Sequence, residues 1–183
     1  PLSIGIAVIA VNSIVIDVCT DLPSSTTLKM VGHSDEINCI IGLKKRIGGS
    51  DFMSTGLDAI RGWDSNGKNN ISLPYPGNVI VQLTDNRVLS GNKSGIVHAF
   101  EHKGQWTAKE LIKEKSAIYC MVQLTNGNIA VGTEAKSVSI WGLDGKRISV
   151  LNGHTERVLS VTQHPKGRIV SGSSDGTVRV WSN

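Results

Sequence analysis

The chain has 183 residues, of which 39% are hydrophobic and 19% charged, and its formal net charge is +4. A mean hydropathy near zero is typical of a soluble strand-rich protein. The three cysteines are odd in number and far apart, which argues against a scaffold held by disulfide bonds and favours small core residues in a reduced compartment. The sequence pI of about 9.1 permits contact with nucleic acid or acidic proteins but does not require it.

The first predicted elements lie in the most apolar part of the chain, residues 4–18. No basic stretch precedes this part, polar residues interrupt it, and it is β-branched rather than Leu-rich, so it predicts strands and not a signal or membrane helix. We predict adjacent strands at 5–10 and 13–18, followed by the outer strand of the same sheet at 26–31.

The rest of the chain alternates short strands with turn signals such as Asp85-Asn86 and Asp175-Gly176. Three groups of four strands and a last group of three are predicted, in the segments 32–73, 74–113, 114–151 and 152–183. In chain order the predicted strands are 36–43, 51–55, 59–63, 70–73, 78–83, 87–91, 95–100, 105–112, 117–124, 128–132, 138–141, 147–151, 157–163, 168–173 and 177–181.

Four aromatic residues end the third strand of successive groups: Trp63, Phe100, Trp141 and Trp181. Their steps of 37, 41 and 40 residues give a period of about 40, and four short strands in each period indicate a β-propeller.

The last group carries the fullest motif, with Gly153-His154, then Ser171 to Gly176 as Ser-Gly-Ser-Ser-Asp-Gly, and Trp181. The first complete group has Gly32-His33 and ends in the literal pair Trp63-Asp64. On these residues the chain resembles the WD40-repeat family.

The two groups between them depart from the family pattern. Pro74 to Gly77 and Lys115-Ser116 stand where Gly-His is expected. Ser94 and Ala135 take the place of the turn Asp, Val131 that of the Ser, and Phe100 that of the Trp.

The resemblance implies an all-β WD40-like propeller made of one domain, 1–183, with about four and a half four-stranded blades. Residues 1–31 would form a partial blade, and the last blade would lack its outer strand. Because WD40 rings usually have seven blades, we expect a piece of a longer propeller, or a ring completed by other residues or by another chain.

The resemblance also implies a hydrogen-bond chain in each of the two fullest repeats. The Trp indole would donate to the Ser hydroxyl, the Ser to the His, and the His to the Asp of the turn. The alternative for such Ser, His and Asp residues is a hydrolase site, which we do not favour because no oxyanion hole is indicated. The expected structural tetrads are His33, Ser54, Asp58 and Trp63, and His154, Ser171, Asp175 and Trp181.

By the same resemblance, partners would bind at the top face, which follows the Gly-His pair and precedes the turn Asp. Its mixed charge suits a short peptide with both charge signs. The candidate residues are Glu36, Leu57, Lys93, Glu134, Glu156, Arg157 and Ser174.

Basic residues cluster in two places, and each cluster is a solvated surface or a site for RNA or an acidic protein. Lys44, Lys45 and Arg46 are predicted in a loop at the bottom of their blade; Lys109, Lys113 and Lys115 lie along an outer strand and its exit. Trp106, which fits no family aromatic position, either covers that blade's rim or anchors a partner.

No catalytic, metal or cofactor site is predicted, since the remaining histidines lack ligand spacing and the Gly-rich runs lack the Lys of a phosphate loop. We expect a non-enzymatic intracellular scaffold, cytoplasmic or nuclear, that binds protein partners or peptide motifs in a multiprotein complex. An RNA- or ribonucleoprotein-associated propeller is the alternative, and a propeller enzyme is a third.

Overall fold

The computed structural model describes residues 13–16 and 28–182, and the regular elements of these residues are all β-strands. The all-β fold class is therefore confirmed. The chain divides into two compact units, Pro1–Pro76 and Gly77–Asn183, which are described separately. The strand predicted at 5–10 lies outside the described residues.

The first unit contains a strand pair and a four-stranded antiparallel sheet. In the pair, Ile14 of β1 lies opposite Met30 of β2. Met30 packs with Phe52 and Trp63 of the larger sheet in a buried apolar cluster, which joins the two sheets. The strands of this unit are β1 (Ser13–Ile16), β2 (Leu28–Val31), β3 (Ile37–Ile47), β4 (Ser50–Gly56), β5 (Ile60–Trp63) and β6 (Asn69–Leu73).

Strand β3 is longer than predicted. Lys44, Lys45 and Arg46 lie within it and not in a loop, so that prediction is wrong. The reason is the turn at Gly48 and Gly49, whose φ angles of 56° and 82° allow β3 to reverse directly into β4. Pairing shifts register between Gly42 and Ile47, so the three basic residues lie on an irregular ribbon.

The second unit contains three antiparallel sheets, two of four strands and a last one of three, as the strand predictions require. The open third strand of the last sheet carries Val178 and Val180, which are 72% and 55% exposed. The strands are β7 (Val79–Gln82), β8 (Val88–Gly91), β9 (Ile96–His102), β10 (Trp106–Lys113), β11 (Ile118–Gln123), β12 (Ile129–Thr133), β13 (Ser137–Trp141), β14 (Arg147–Asn152), β15 (Val158–Gln163), β16 (Ile169–Ser173) and β17 (Val178–Trp181).

Neighbouring sheets of the second unit pack through apolar side chains near their first strands. Between the last two sheets, Ala130 and Val138 contribute to the same core cluster as Val158 and Ile169. Burying one such aliphatic side chain stabilises the fold by about 1.5–3 kcal/mol. These seams hold the first strands, and therefore the loops that precede them, in fixed positions.

Glycines at the ends of the second strands allow these close approaches. A Cβ on Gly91 would lie 2.8 Å from Ile118 of the next sheet, and one on Gly132 would collide with the Cys120 sulphur and lie 2.9 Å from Val158. At the corresponding place in the last sheet, a Cβ on Gly172 would meet only Ser160, at 3.9 Å.

A glutamine at the end of β11 and another at the end of β15 each link their sheet to the one before it. The Thr84 amide donates to Gln123 Oε1 at 2.9 Å, and the Thr125 amide donates to Gln163 Oε1 at 2.7 Å. Gln163 Nε2 in turn donates to the Gly167 carbonyl of its own hairpin at 2.8 Å. We call these two contacts the glutamine links.

Candidate functional site

The first candidate tetrad forms a chain of hydrogen bonds across β4, β5 and the loop before β3. Trp63 Nε1 donates to Ser54 Oγ at 2.8 Å, and Ser54 Oγ lies 2.8 Å from His33 Nε2. His33 Nδ1 lies 2.6 Å from Asp58 Oδ1. Because a carboxylate only accepts, Nδ1 carries the proton, and in the neutral ring Nε2 accepts from the serine hydroxyl.

The second candidate tetrad has the same geometry in the last sheet. Trp181 Nε1 donates to Ser171 Oγ at 2.8 Å, Ser171 Oγ lies 2.9 Å from His154 Nε2, and His154 Nδ1 lies 2.8 Å from Asp175 Oδ2. Thr177 adds a bond that the first tetrad lacks, from its hydroxyl to Asp175 Oδ1 at 2.6 Å.

Hydrogen bonds hold both aspartates in the ionised form. For Asp58, burial opposes ionisation, but the bonds from His33 and from the Ser34 amide outweigh it and lower the pKa well below its usual range. For Asp175, the Thr177 hydroxyl has the largest effect, and the Thr155 amide and His154 add to it, so that this pKa is also far below its usual value despite burial.

These Ser, His and Asp side chains are enclosed rather than presented to a substrate. The side chains of His33 and His154 are 0% exposed, and Ser54 and Ser171 are buried. A serine nucleophile must reach a carbonyl carbon in a cleft, which neither hydroxyl can do here. Both sets therefore serve as internal links between strands and a loop.

The sheet β7–β10 replaces the tetrad by simpler contacts. Ser90 occupies the serine position, but its hydroxyl donates to the Val79 carbonyl at 3.1 Å. Phe100 replaces the tryptophan and is almost fully buried, and its ring has no N–H group that would need an acceptor. In this sheet the buried serine hydroxyl thus keeps a partner, and the aromatic position has no N–H that needs one.

The sheet β11–β14 keeps its tryptophan and supplies a different acceptor. Trp141 Nε1 donates to Glu114 Oε1 at 2.7 Å, and both side chains are buried. The Arg147 guanidinium lies 5.7 Å from the centre of the Trp141 ring. Sequence reasoning missed Glu114, which precedes the Lys115-Ser116 pair. One sequence signal could have found it: Trp141 is retained while Val131 replaces the serine that would accept its N–H, so another acceptor is required.

Backbone hydrogen bonds fix the loops of the top face. The Leu57 amide donates to the Glu36 carbonyl at 3.2 Å, and the Ser174 amide donates to the Arg157 carbonyl at 3.0 Å. The Glu134 amide donates to the Ala117 carbonyl at 2.9 Å. Leu57 is half-buried and the other six candidate residues are exposed.

The structure brings five of the seven candidates to one edge of the second unit, while Glu36 and Leu57 belong to the first unit. In the second unit Glu156 pairs loosely with Lys136, at 3.5 Å, and Lys93 lies in the turn between β8 and β9. Arg157 makes a side-chain contact that the sequence did not indicate, since its guanidinium carbon lies 5.8 Å from the centre of the Tyr119 ring.

The basic residues of the β3–β4 ribbon are exposed but not equivalent. Arg46 Nε pairs with Asp51 Oδ1 at 2.9 Å, and its Nη2 donates to the Gly49 carbonyl at 2.6 Å. Lys44 and Lys45 are exposed on the same ribbon. Lys109 and Lys113 are exposed on β10, and Lys115 is exposed just after it.

Residues 13–16 and 28–182 include no group of three or more His, Cys, Asp or Glu placed to hold a metal ion. Within the same residues, no helix is long and apolar enough to cross a membrane. Cys39 and Cys120 are not joined in disulfide bonds, and burial raises the pKa of the Cys120 thiol to about 12. Trp106 is half-buried with its ring 5.2 Å from that of His102.

Comparison with known proteins identifies one repeat directly. The family model described as "WD domain, G-beta repeat" matches residues 145–182. The ribosome biogenesis protein YTM1 of Vanderwaltozyma polyspora is 24% identical over 116 residues, which cover 54% of this chain and 25% of that protein. The nuclear distribution protein PAC1 of Yarrowia lipolytica is 37% identical over 71 residues, covering 37% of this chain and 16% of that protein. The chain thus spans a quarter or less of these two relatives.

Solved structures support the fold. The WD40 β-propeller domain of Doa1 superposes with a TM-score of 0.71 at 24% identity, over 84% of this chain and 53% of that one. The computationally designed Ika4 protein superposes with a TM-score of 0.64 at 26% identity, over 83% of this chain and 94% of that one.

Proposed function

We propose that this chain, a WD40-repeat protein with the β-propeller fold, is a non-enzymatic scaffold that binds protein partners through the top-face loops of its sheets. The observation that carries the proposal is how these loops are held. Tetrads, backbone hydrogen bonds and packed first strands fix them before any partner arrives. A preordered surface loses little conformational freedom on binding, so more of the contact energy appears as affinity.

The burial of the two Ser-His-Asp sets supports the non-enzymatic part of the proposal. Each histidine already uses both ring nitrogens inside the protein, so neither can act as a general base for a bound substrate. The names of the relatives, a ribosome biogenesis protein and a nuclear distribution protein, support an intracellular subunit of a multiprotein complex, cytoplasmic or nuclear.

A second candidate is an RNA- or ribonucleoprotein-associated subunit. Lys44 and Lys45 favour it because both are cationic and exposed on the β3–β4 ribbon. Binding of this kind would weaken steeply as the salt concentration rises, because the release of counterions from the phosphates then becomes less favourable.

One experiment separates the two candidates: affinity capture of the full-length gene product from its own cells, with and without nuclease, followed by mass spectrometry. A discrete protein set that survives nuclease supports the scaffold. Loss of the set after nuclease supports the ribonucleoprotein alternative, and a Lys44→Gln, Lys45→Gln variant should then lose the RNA. Capture of no specific partner in either arm would contradict both.

A further inference from the structure

Arg157 is an exposed top-face side chain whose guanidinium is already held in place. Its Nε donates to Ser174 Oγ at 3.2 Å, and its Cζ lies 5.8 Å from the centre of the Tyr119 ring. Tyr119 belongs to β11 and Ser174 to the turn between β16 and β17, so two different sheets orient one side chain. An exposed arginine normally loses side-chain conformational entropy when a partner fixes it, and here part of that loss has already occurred.

The held guanidinium keeps most of its donors available. One of its five N–H groups is used by Ser174, and within the described residues no hydrogen bond or ion pair engages Nη1 or Nη2 of Arg157. Two parallel N–H groups at the end of a guanidinium match the two oxygens of a carboxylate. Arg157 is exposed and therefore offers a preformed pair of donors to a ligand from solvent.

The neighbouring carboxylates are engaged elsewhere. Asp175 accepts from His154, from the Thr155 amide and from Thr177, and Glu156 pairs with Lys136 at 3.5 Å. Arg157 thus carries a positive charge that no neighbour among the described residues neutralises. A single guanidinium suits a singly charged carboxylate better than a phosphate, whose recognition uses clusters of arginines.

We propose that Arg157 binds the side-chain carboxylate of an Asp or Glu in an extended segment of a protein partner. Tyr119 and Ser174 are positioning residues that hold the guanidinium over this site. The inference rests on the proposed scaffold function, because it names the chemistry of the partner at the same top face.

The test uses the full-length protein and a random heptapeptide library displayed on phage. Enriched peptides are then synthesised with the acidic residue retained, changed to Gln or Asn, or replaced by phosphoserine, and Kd is measured by fluorescence polarisation. The variants are Arg157→Gln, Arg157→Lys and Tyr119→Leu. Arg168→Gln is the matched control, since Arg168 is also exposed but lies at the opposite end of the β15–β16 hairpin. Thermal melting of every variant checks its folding.

We expect acidic peptides to be enriched, and the change of the acidic residue to its amide to weaken binding about 10- to 100-fold on the wild type. On Arg157→Gln that change should have less than about a threefold effect, because the carboxylate has lost its partner. Arg157→Lys should bind with intermediate affinity, Tyr119→Leu several-fold more weakly than the wild type, and Arg168→Gln like the wild type.

Three results would overturn the inference while leaving the scaffold function in place: enriched peptides without acidic residues, an equal amide effect on the wild type and Arg157→Gln, or tighter binding of phosphoserine than of the acidic residue. A library that yields no binder to the folded wild type, together with no partner in affinity capture, would instead reject the proposed function itself.

Discussion

Replacement of Ser54 by alanine tests how strongly the first tetrad holds its sheet. The Ser54 hydroxyl is completely buried and lies within hydrogen-bond distance of both the Trp63 indole and the His33 ring. Its removal leaves one donor and one acceptor in an interior that water does not reach. Each orphaned group costs about 1–3 kcal/mol, so we expect Ser54→Ala to lower the free energy of unfolding by about 2–6 kcal/mol.

Ser90→Ala is the matched control, because Ser90 occupies the same place in its own sheet but makes one hydrogen bond, to a backbone carbonyl. Loss of that bond should cost about 0.5–1.5 kcal/mol. Urea unfolding followed by circular dichroism gives both values, with the slope m as a check that the same transition is compared. Equal destabilisation of the two variants would refute the argument that the connected network, rather than a buried hydroxyl as such, stabilises the repeat.

Three further predictions concern pH, the seams between sheets and the substituted tetrad. Folding lowers the Asp58 pKa from its ordinary value of 3.8, so the stability that this group contributes is complete above about pH 4 and is lost as pH falls below it. Between pH 6 and 3 the melting temperature of Asp58→Asn should therefore fall less steeply than that of the wild type, and parallel curves would contradict this. Gly132→Ala should lower the free energy of unfolding by about 1–3 kcal/mol through overpacking. Gly172→Ala, whose new methyl group meets no neighbouring sheet, should leave the melting temperature nearly unchanged. A similar loss of stability in both variants would show that Gly132 is not required for close packing between sheets. Glu114→Gln keeps an acceptor for Trp141, so its free energy of unfolding should lie within about 1 kcal/mol of the wild-type value, whereas Glu114→Ala should lower it by about 1–3 kcal/mol. Equal urea midpoints for the two variants would show that the hydrogen bond is unimportant.

Strand periodicity and turn chemistry predicted most of the fold, because both are local properties. Alternating apolar residues such as Ile129 and Val131 specify a buried strand, and the Asp and Gly residues of the turns specify where it ends. The failure at β3 has a local cause as well. Lys44 to Arg46 lack apolar alternation, so the sequence predicted a loop, yet Gly48 and Gly49 close a hairpin that continues the pairing.

The parts of the candidate site that the sequence did not reveal depend on contacts between residues far apart in the chain. The stacking of Arg157 on Tyr119 joins residues from neighbouring repeats, and the Glu114 bond to Trp141 joins residues 27 positions apart in one repeat. The family motif encodes neither pair, because each depends on how the folded chain packs. The family motif places Arg157 at the top face, but only the packed structure indicates that its guanidinium is held.

The glutamine links give the first two sheets of the second unit a chemical reporter on the sheet that follows each of them. The Thr125 amide proton is bound to an oxygen of Gln163, so its exchange with deuterium requires this link to the last sheet to break, even while its own sheet remains folded. The Thr84 amide reports in the same way on the sheet that contains Gln123. Two amide exchange rates therefore measure the coupling between adjacent repeats, which in a repeat protein decides whether neighbouring units open together or one at a time.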